Sequence, residues 1–115
     1  MNMRQISQLL NARVLCGEER LDEDVPNVFA SDMMSDILAC PEEIAFMLTG
    51  LVNQQVIRTA DMMDIGLIVF VRGKEPQDDL LAMARDRGMV LMVTALGMYS
   101  ACGQLYAQGL EGAYQ

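Results

Sequence analysis
The sequence contains no histidine and no tryptophan, and only three prolines and three cysteines. Each scarcity removes a class of function. Without an imidazole there is no serine triad, no cysteine–histidine dyad and no histidine-ligated zinc. The cysteines, Cys16, Cys40 and Cys102, are odd in number and form no CxxC pair, so neither a disulfide framework nor a zinc site follows from them. Reduced, mostly buried thiols of a cytoplasmic protein are the plainer reading. Basic residues are also few: 8 against 16 acidic, for a formal charge of −8. A chain this acidic has no broad cationic surface for a nucleic-acid backbone or an anionic membrane. Residues 1–10 carry Arg4 but no apolar core or cleavage signal, so no secretory leader is expected.

Catalytic signatures are missing too. The Gly73-Lys74 pair is followed by Glu75 and lacks the upstream glycine of a phosphate-binding loop. Neither a GxSxG elbow nor a GxGxxG fingerprint occurs. The acidic stretch 17–24 lacks the register of a calcium loop and reads as a solvated loop. Adjacent acids at Glu42-Glu43 and Asp78-Asp79 suit helix starts better than an acid/base couple. No catalytic residue, metal site or cofactor is therefore assigned, and the chain is read as a non-enzyme.

What is present is apolar residues, at 52% of 115 residues. That is ample for a core and argues against disorder; one domain over 1–115 is expected. The stretch 88–110 has no charged residue and is long enough to cross a bilayer. Its four glycines, with Thr94, Ser100, Gln104 and Gln108, make it too polar for hydrocarbon, and it divides naturally into a strand and a helix.

Periodicity supplies the elements. A helix is expected over 3–10, closed by Asn11, then a short strand over 13–16. A second strand is expected over 25–30, followed by a short helix capped by Ser31, with Asp32 in its first turn. Apolar runs at 44–49, 67–71 and 89–94 alternate with helical spacing over 52–63, after Pro76, and after Gly97. Gly66 is expected to end the first of these helices, and Pro76 to open the second. Beyond Gly109 the tail is expected to be loose. Strands that are apolar throughout are buried on both faces. The fold class is thus α/β: a mainly parallel sheet with helices packed on it, its βαβαβα core following an N-terminal helix and short strands.

In such a sheet, ligands bind beyond the carboxyl ends of the strands. That rule selects the turns carrying Thr49, Gly50 and Asn53, then Arg72 and Gly73, then Thr94, with Arg58 one helical turn further on. Glycine, threonine and arginine at helix starts favour an anion, so a nucleotide or phosphometabolite site is one reading. The other is that Thr49 and Asn53 cap a helix and Arg58 pairs with an acid such as Asp61. The eleven methionines also have two readings: adaptable core filling, or a helix face for self-association. Each Met-Met pair, at 33–34 and 62–63, directs one methionine outward.

The segment Thr49-Gly50-Leu51-Val52-Asn53-Gln54-Gln55-Val56-Ile57-Arg58-Thr59-Ala60-Asp61, running into Ile68-Val69-Phe70-Val71-Arg72-Gly73-Lys74, resembles the DRTGG-domain family. So do Ala30-Ser31-Asp32-Met33-Met34 and the opening helix followed by Arg13-Val14-Leu15-Cys16-Gly17. The literal Asp-Arg-Thr-Gly-Gly string is absent, and its nearest echo is Arg58-Thr59-Ala60. The resemblance implies an α/β module similar to the N-terminal domain of HPr kinase, without the kinase domain. It also implies company with regulatory pyrophosphatases and phosphotransacetylases, and in some cases a dimer contact. The expectation is a cytoplasmic, homodimeric regulatory or ligand-sensing module with an anionic small molecule at the strand ends. The alternatives are a structural partner-binding subunit and a small phosphoryl-transfer or hydrolytic enzyme.

Overall fold
The structure is a computed structural model and describes residues 1–114. Six strands form one sheet: β1 (Arg13–Cys16), β2 (Asn27–Ala30), β3 (Phe46–Thr49), β4 (Leu67–Phe70), β5 (Val90–Val93) and β6 (Glu111–Gly112). Their order is β1-β5-β4-β3-β2-β6. Every neighbouring pair is parallel except β1 with β5. Five helices cover the sheet: α1 (Met3–Leu9), α2 (Met34–Leu38), α3 (Gln54–Met62), α4 (Asp78–Asp86) and α5 (Met98–Ala107). The expected α/β class and mainly parallel sheet are both present.

The continuous apolar runs are apolar for a reason. All four residues of β3, of β4 and of β5 are buried. In register, Met47, Ile68 and Leu91 face α2, α3 and α4, whereas Leu48, Val69 and Met92 face α1 and α5. Helices on both faces leave no polar side to the central strands. Truncating Leu48 or Ile68 to alanine would cost about 2–5 kcal/mol. The coverage is uneven, however, with three helices on one face and two on the other.

Several boundaries differ from expectation. The tail after Gly109 is docked: Glu111–Gly112 pairs with β2, Leu110 and Ala113 are buried, and the Ala113 N–H bonds the Val28 carbonyl at 2.8 Å. Such a short strand has no readable pattern. Ser31 is not the cap of α2. Its hydroxyl accepts the Met33 N–H at 2.9 Å in a local turn, and Met33 holds the cap position. Pro76 lies in the loop, with Gln77 as the cap of α4, although Asp78 and Asp79 do occupy its first turn. The α3 helix is left through Asp64 at φ 59°, not through Gly66. Gly66 stays small because the Arg20 guanidinium presses against it. Asn11, at φ 48°, follows the cap of α1 as expected.

Each methionine pair divides between inside and outside. Met34 is buried and Met63 half-buried, while Met33 and Met62 are 60% and 73% exposed. Cys16 and Cys40 are buried and Cys102 is half-buried; burial pushes the thiols of Cys16 and Cys102 above their usual pKa. Among the described residues, no helix is long and apolar enough to cross a membrane.

Candidate functional site
Because β3, β4 and β5 run parallel and in register, their carboxyl ends share one edge of the sheet. Backbone bonds tie that edge together. The Val71 N–H reaches the Thr49 carbonyl at 3.0 Å, Arg72 N–H the Leu96 carbonyl at 2.8 Å, and Gly73 N–H the Thr94 carbonyl at 2.8 Å. Arg72 and Gly73 both have positive φ, 61° and 66°, a pairing that makes a tight reversal and suits glycine at the second place. The expected ledge, with residues 49, 72 and 94 side by side, is therefore assembled.

Its polar groups are not equally free. Thr49 is buried; its hydroxyl donates to the Asp32 carboxylate at 3.2 Å and accepts the Leu51 N–H at 3.1 Å. The Gly50 N–H donates to the same Asp32 oxygen at 2.6 Å. Asp32, expected to complement a helix dipole, is instead the anion of this corner. Asn53 caps α3 by accepting the Val56 N–H at 3.2 Å. Thr94 is buried, donates to the Leu10 carbonyl at 2.7 Å and accepts the Leu96 N–H at 3.2 Å. Arg58 does not meet Asp61. It donates to Gln54 at 2.8 Å, while Asp61 accepts from Arg87 at 3.2 Å.

Arg72 and Lys74 remain. Both are exposed, and neither makes an ion pair or a side-chain hydrogen bond among the described residues. The Arg72 guanidinium lies across Gly50 so closely that a Cβ there would collide with it. The glycine is needed for that approach, since a flexible arginine would otherwise be displaced. Beside the ledge, a crevice of about 730 Å³ runs between the starts of α3 and α4. Its walls include Gly50, Asn53, Gln54, Lys74, Glu75 and Asp79, a mixed set of one cation, two carboxylates and amides. Among the described residues, no group of three or more acids and cysteines could hold a metal ion.

A second concavity lies where no site was expected from sequence. A groove of about 720 Å³ separates α5 from β2 and β6, lined by Val28, Ala30, Leu105, Leu110, Tyr106 and Tyr114 among others. It sits on the face of the sheet that has only two helices. The sequence signal for it is a helix without charge and with tyrosines seven apart, Tyr99 and Tyr106.

No protein-family model matches the chain, and no curated protein matches it in sequence. A solved structure does match in fold: the CBS and DRTGG domains of the regulatory region of Clostridium perfringens pyrophosphatase, complexed with its activator, diadenosine tetraphosphate. The TM-score is 0.71 at 15% sequence identity. The match covers 90% of this chain and 45% of that one, so the chain spans just under half the length of its structural neighbour. In fold, this α/β chain is similar to that CBS- and DRTGG-containing region.

Proposed function
We propose that the chain is a non-enzymatic, cytoplasmic regulatory module that works as a homodimer and senses an anionic nucleotide at the strand-end ledge. The observation that carries the ligand reading is the Arg72–Lys74 turn. Two cations, unpaired among the described residues, stand on one tight turn of a chain with formal charge −8, at the end of the sheet where α/β folds collect ligands. The adjoining crevice refines the ligand class. Inorganic phosphate would meet the Asp79 carboxylate as a repulsive neighbour, and beside it Glu75, which is already paired with Arg13. A nucleotide would place phosphate on the Arg72 and Lys74 side chains, and offer ribose hydroxyls and base amines to the carboxylates. The regulatory reading is supported by the fold neighbour, which belongs to the regulatory region of an enzyme and holds a dinucleotide activator.

In this reading Thr49, Gly50, Asn53 and Thr94 shape the ledge, and the cations bind. Isothermal titration and thermal shift with ATP and diadenosine tetraphosphate, against inorganic phosphate as the comparison, test it. A nucleotide at about 100 times its Kd would add about 2.7 kcal/mol to stability. The Arg72→Ala/Lys74→Ala pair would weaken binding at least about tenfold, the loss of one charge-assisted contact or more. No stabilisation by either nucleotide at millimolar concentration would remove the ligand reading. Equal binding by the double variant would move the site elsewhere.

A further inference from the structure
The exposed aromatic face of α5 has no function in the ledge. Tyr99 and Tyr106 are 93% and 82% exposed, and residues 88–110, which contain α5, hold no charged side chain. None of the residues lining the groove beside it is an Asp, Glu, Lys or Arg. In a chain of charge −8, such a surface is the place where two copies can approach without like-charge repulsion, which acts over about 8 Å at physiological salt. The other exposed apolar side chains compare poorly. Met33 and Leu38 border α2 with Asp32 and Asp36, and Met62 lies between Asp61 and Asp64.

We propose that α5 is the two-fold contact of the homodimer, packed antiparallel against α5 of a second copy with the axis passing beside Cys102 and Gly103. The inference rests on the homodimer reading above and adds its surface. The helix is self-complementary about that point. Tyr99 and Tyr106 lie on one side of it, about 10 Å apart along the axis, with Gly103 between them. Reversal about the midpoint therefore sets Tyr99 of each copy against Tyr106 of the other, as an isologous contact requires. Gly103, with no side chain, lets the axes come to the near end of the usual 8–10 Å spacing. The tyrosine rings suit a surface that is wet before association and buried after it, and Ser100 and Gln104 on the groove wall offer partners for their hydroxyls. The groove arises because this face of the sheet lacks a third helix over β2 and β6. The second copy supplies the missing cover.

Sedimentation velocity of the whole chain over a range of concentrations tests this. The wild type should sediment at about twice its 12.7 kDa mass. Tyr99→Glu/Tyr106→Glu should raise the dimer Kd at least about 100-fold with an unchanged far-UV spectrum, since both side chains are exposed. Met33→Glu/Met62→Glu adds the same charge on the other face and should leave the dimer intact, which separates a local contact from general repulsion. Gly103→Cys in a Cys102→Ser background should form an intermolecular disulfide on mild oxidation. A wild type that stays monomeric overturns both the surface and the homodimer reading. A dimer broken by the methionine pair and spared by the tyrosine pair overturns α5 alone. A stable dimer that forms no disulfide overturns the antiparallel arrangement. Nucleotide titration of the same variants reports on the ledge independently.

Discussion

Thr94→Val separates a structural threonine from a ligand-binding one. The substitution nearly keeps the side chain's shape and removes its hydroxyl, which is buried and holds two backbone groups: the Leu10 carbonyl at 2.7 Å and the Leu96 N–H at 3.2 Å. Leu10 ends α1 and is itself fully buried, so its carbonyl would be left without water or partner. Leu96 is half-buried, and its N–H could find solvent. One neutral hydrogen bond is worth about 1 kcal/mol net, and an unsatisfied buried group about 1–3 kcal/mol more. The expected loss is about 2–3 kcal/mol, a large share of the 5–15 kcal/mol typical of a domain. For a chain of this length that corresponds to roughly 10 °C in Tm. Urea unfolding followed by circular dichroism measures it, with Thr94→Ser as the control that keeps the hydroxyl. A Thr94→Val midpoint equal to wild type, with Thr94→Ser the more damaging change, would refute the reasoning. A selective loss of nucleotide binding at unchanged stability would return Thr94 to the ligand.

Two further outcomes follow from the structure. Gly17 has φ 84°, and a Cβ on it would stand 2.9 Å from the Met89 carbonyl oxygen and 2.9 Å from Val90 Cα. Backbone cannot swing aside as a side chain can, so Gly17→Ala should cost about 3 kcal/mol from left-handed strain and overpacking together, read from the urea midpoint; a change below about 0.5 kcal/mol would contradict it. The Arg20 guanidinium grips both oxygens of Glu23 at 2.8 Å and holds its carboxyl below the usual glutamate range. A depressed folded pKa stabilises above the unfolded value, and that contribution is lost as pH falls through the folded value. Glu23→Gln should therefore flatten part of the acid limb of the stability curve, modestly because the pair is solvent-screened, and an unchanged limb would show that the pair does not contribute.

The central sheet was legible because double-sided burial prints itself on the chain. The runs at 44–49, 67–71 and 89–94 are apolar at every face, and each has a helical segment beside it. The edges were not legible. Nothing in the four residues of β1 encodes that they run against β5, and β6 consists of Glu111 and Gly112, whose pairing depends on Val28 having a free side. The start of α1 was within reach: Asn2 and Gln5 form a reciprocal capping box, whose spacing the sequence displays. At the ledge, the topology rule located the correct end of the sheet but could not say where side chains go. Periodicity sees only sequence neighbours, and those make Asp32 a dipole partner of the helix after it. Its carboxylate instead spans to Thr49 and Gly50, 17 and 18 residues away. The α5 groove is created by a helix that is absent from one face; its trace in the sequence is the uncharged helix with Tyr99 and Tyr106, which does not show that a neighbouring helix is missing.

The position of Asp32 also bears on what the ledge can select. A bare strand end in an α/β sheet offers amide N–H groups to any anion. Here the Gly50 amide and the Thr49 hydroxyl are already taken by the chain's own carboxylate, so the β2–β3 half of the ledge is closed to a second negative charge. In the β4–β5 half the Arg72 and Gly73 amides are likewise tied, to the Leu96 and Thr94 carbonyls, but the Arg72 and Lys74 side chains stand there without partners among the described residues. Gly50 joins the two halves, because its lack of a side chain lets the Arg72 guanidinium lie over the strand end next to the corner that Asp32 occupies. Charge thus changes sign across a few ångströms. A compact anion gains from one side and is repelled from the other. A ligand that is anionic at one end and rich in hydroxyl or amine donors at the other gains from both, and that polarity is the physical ground for preferring a nucleotide over free phosphate at this site.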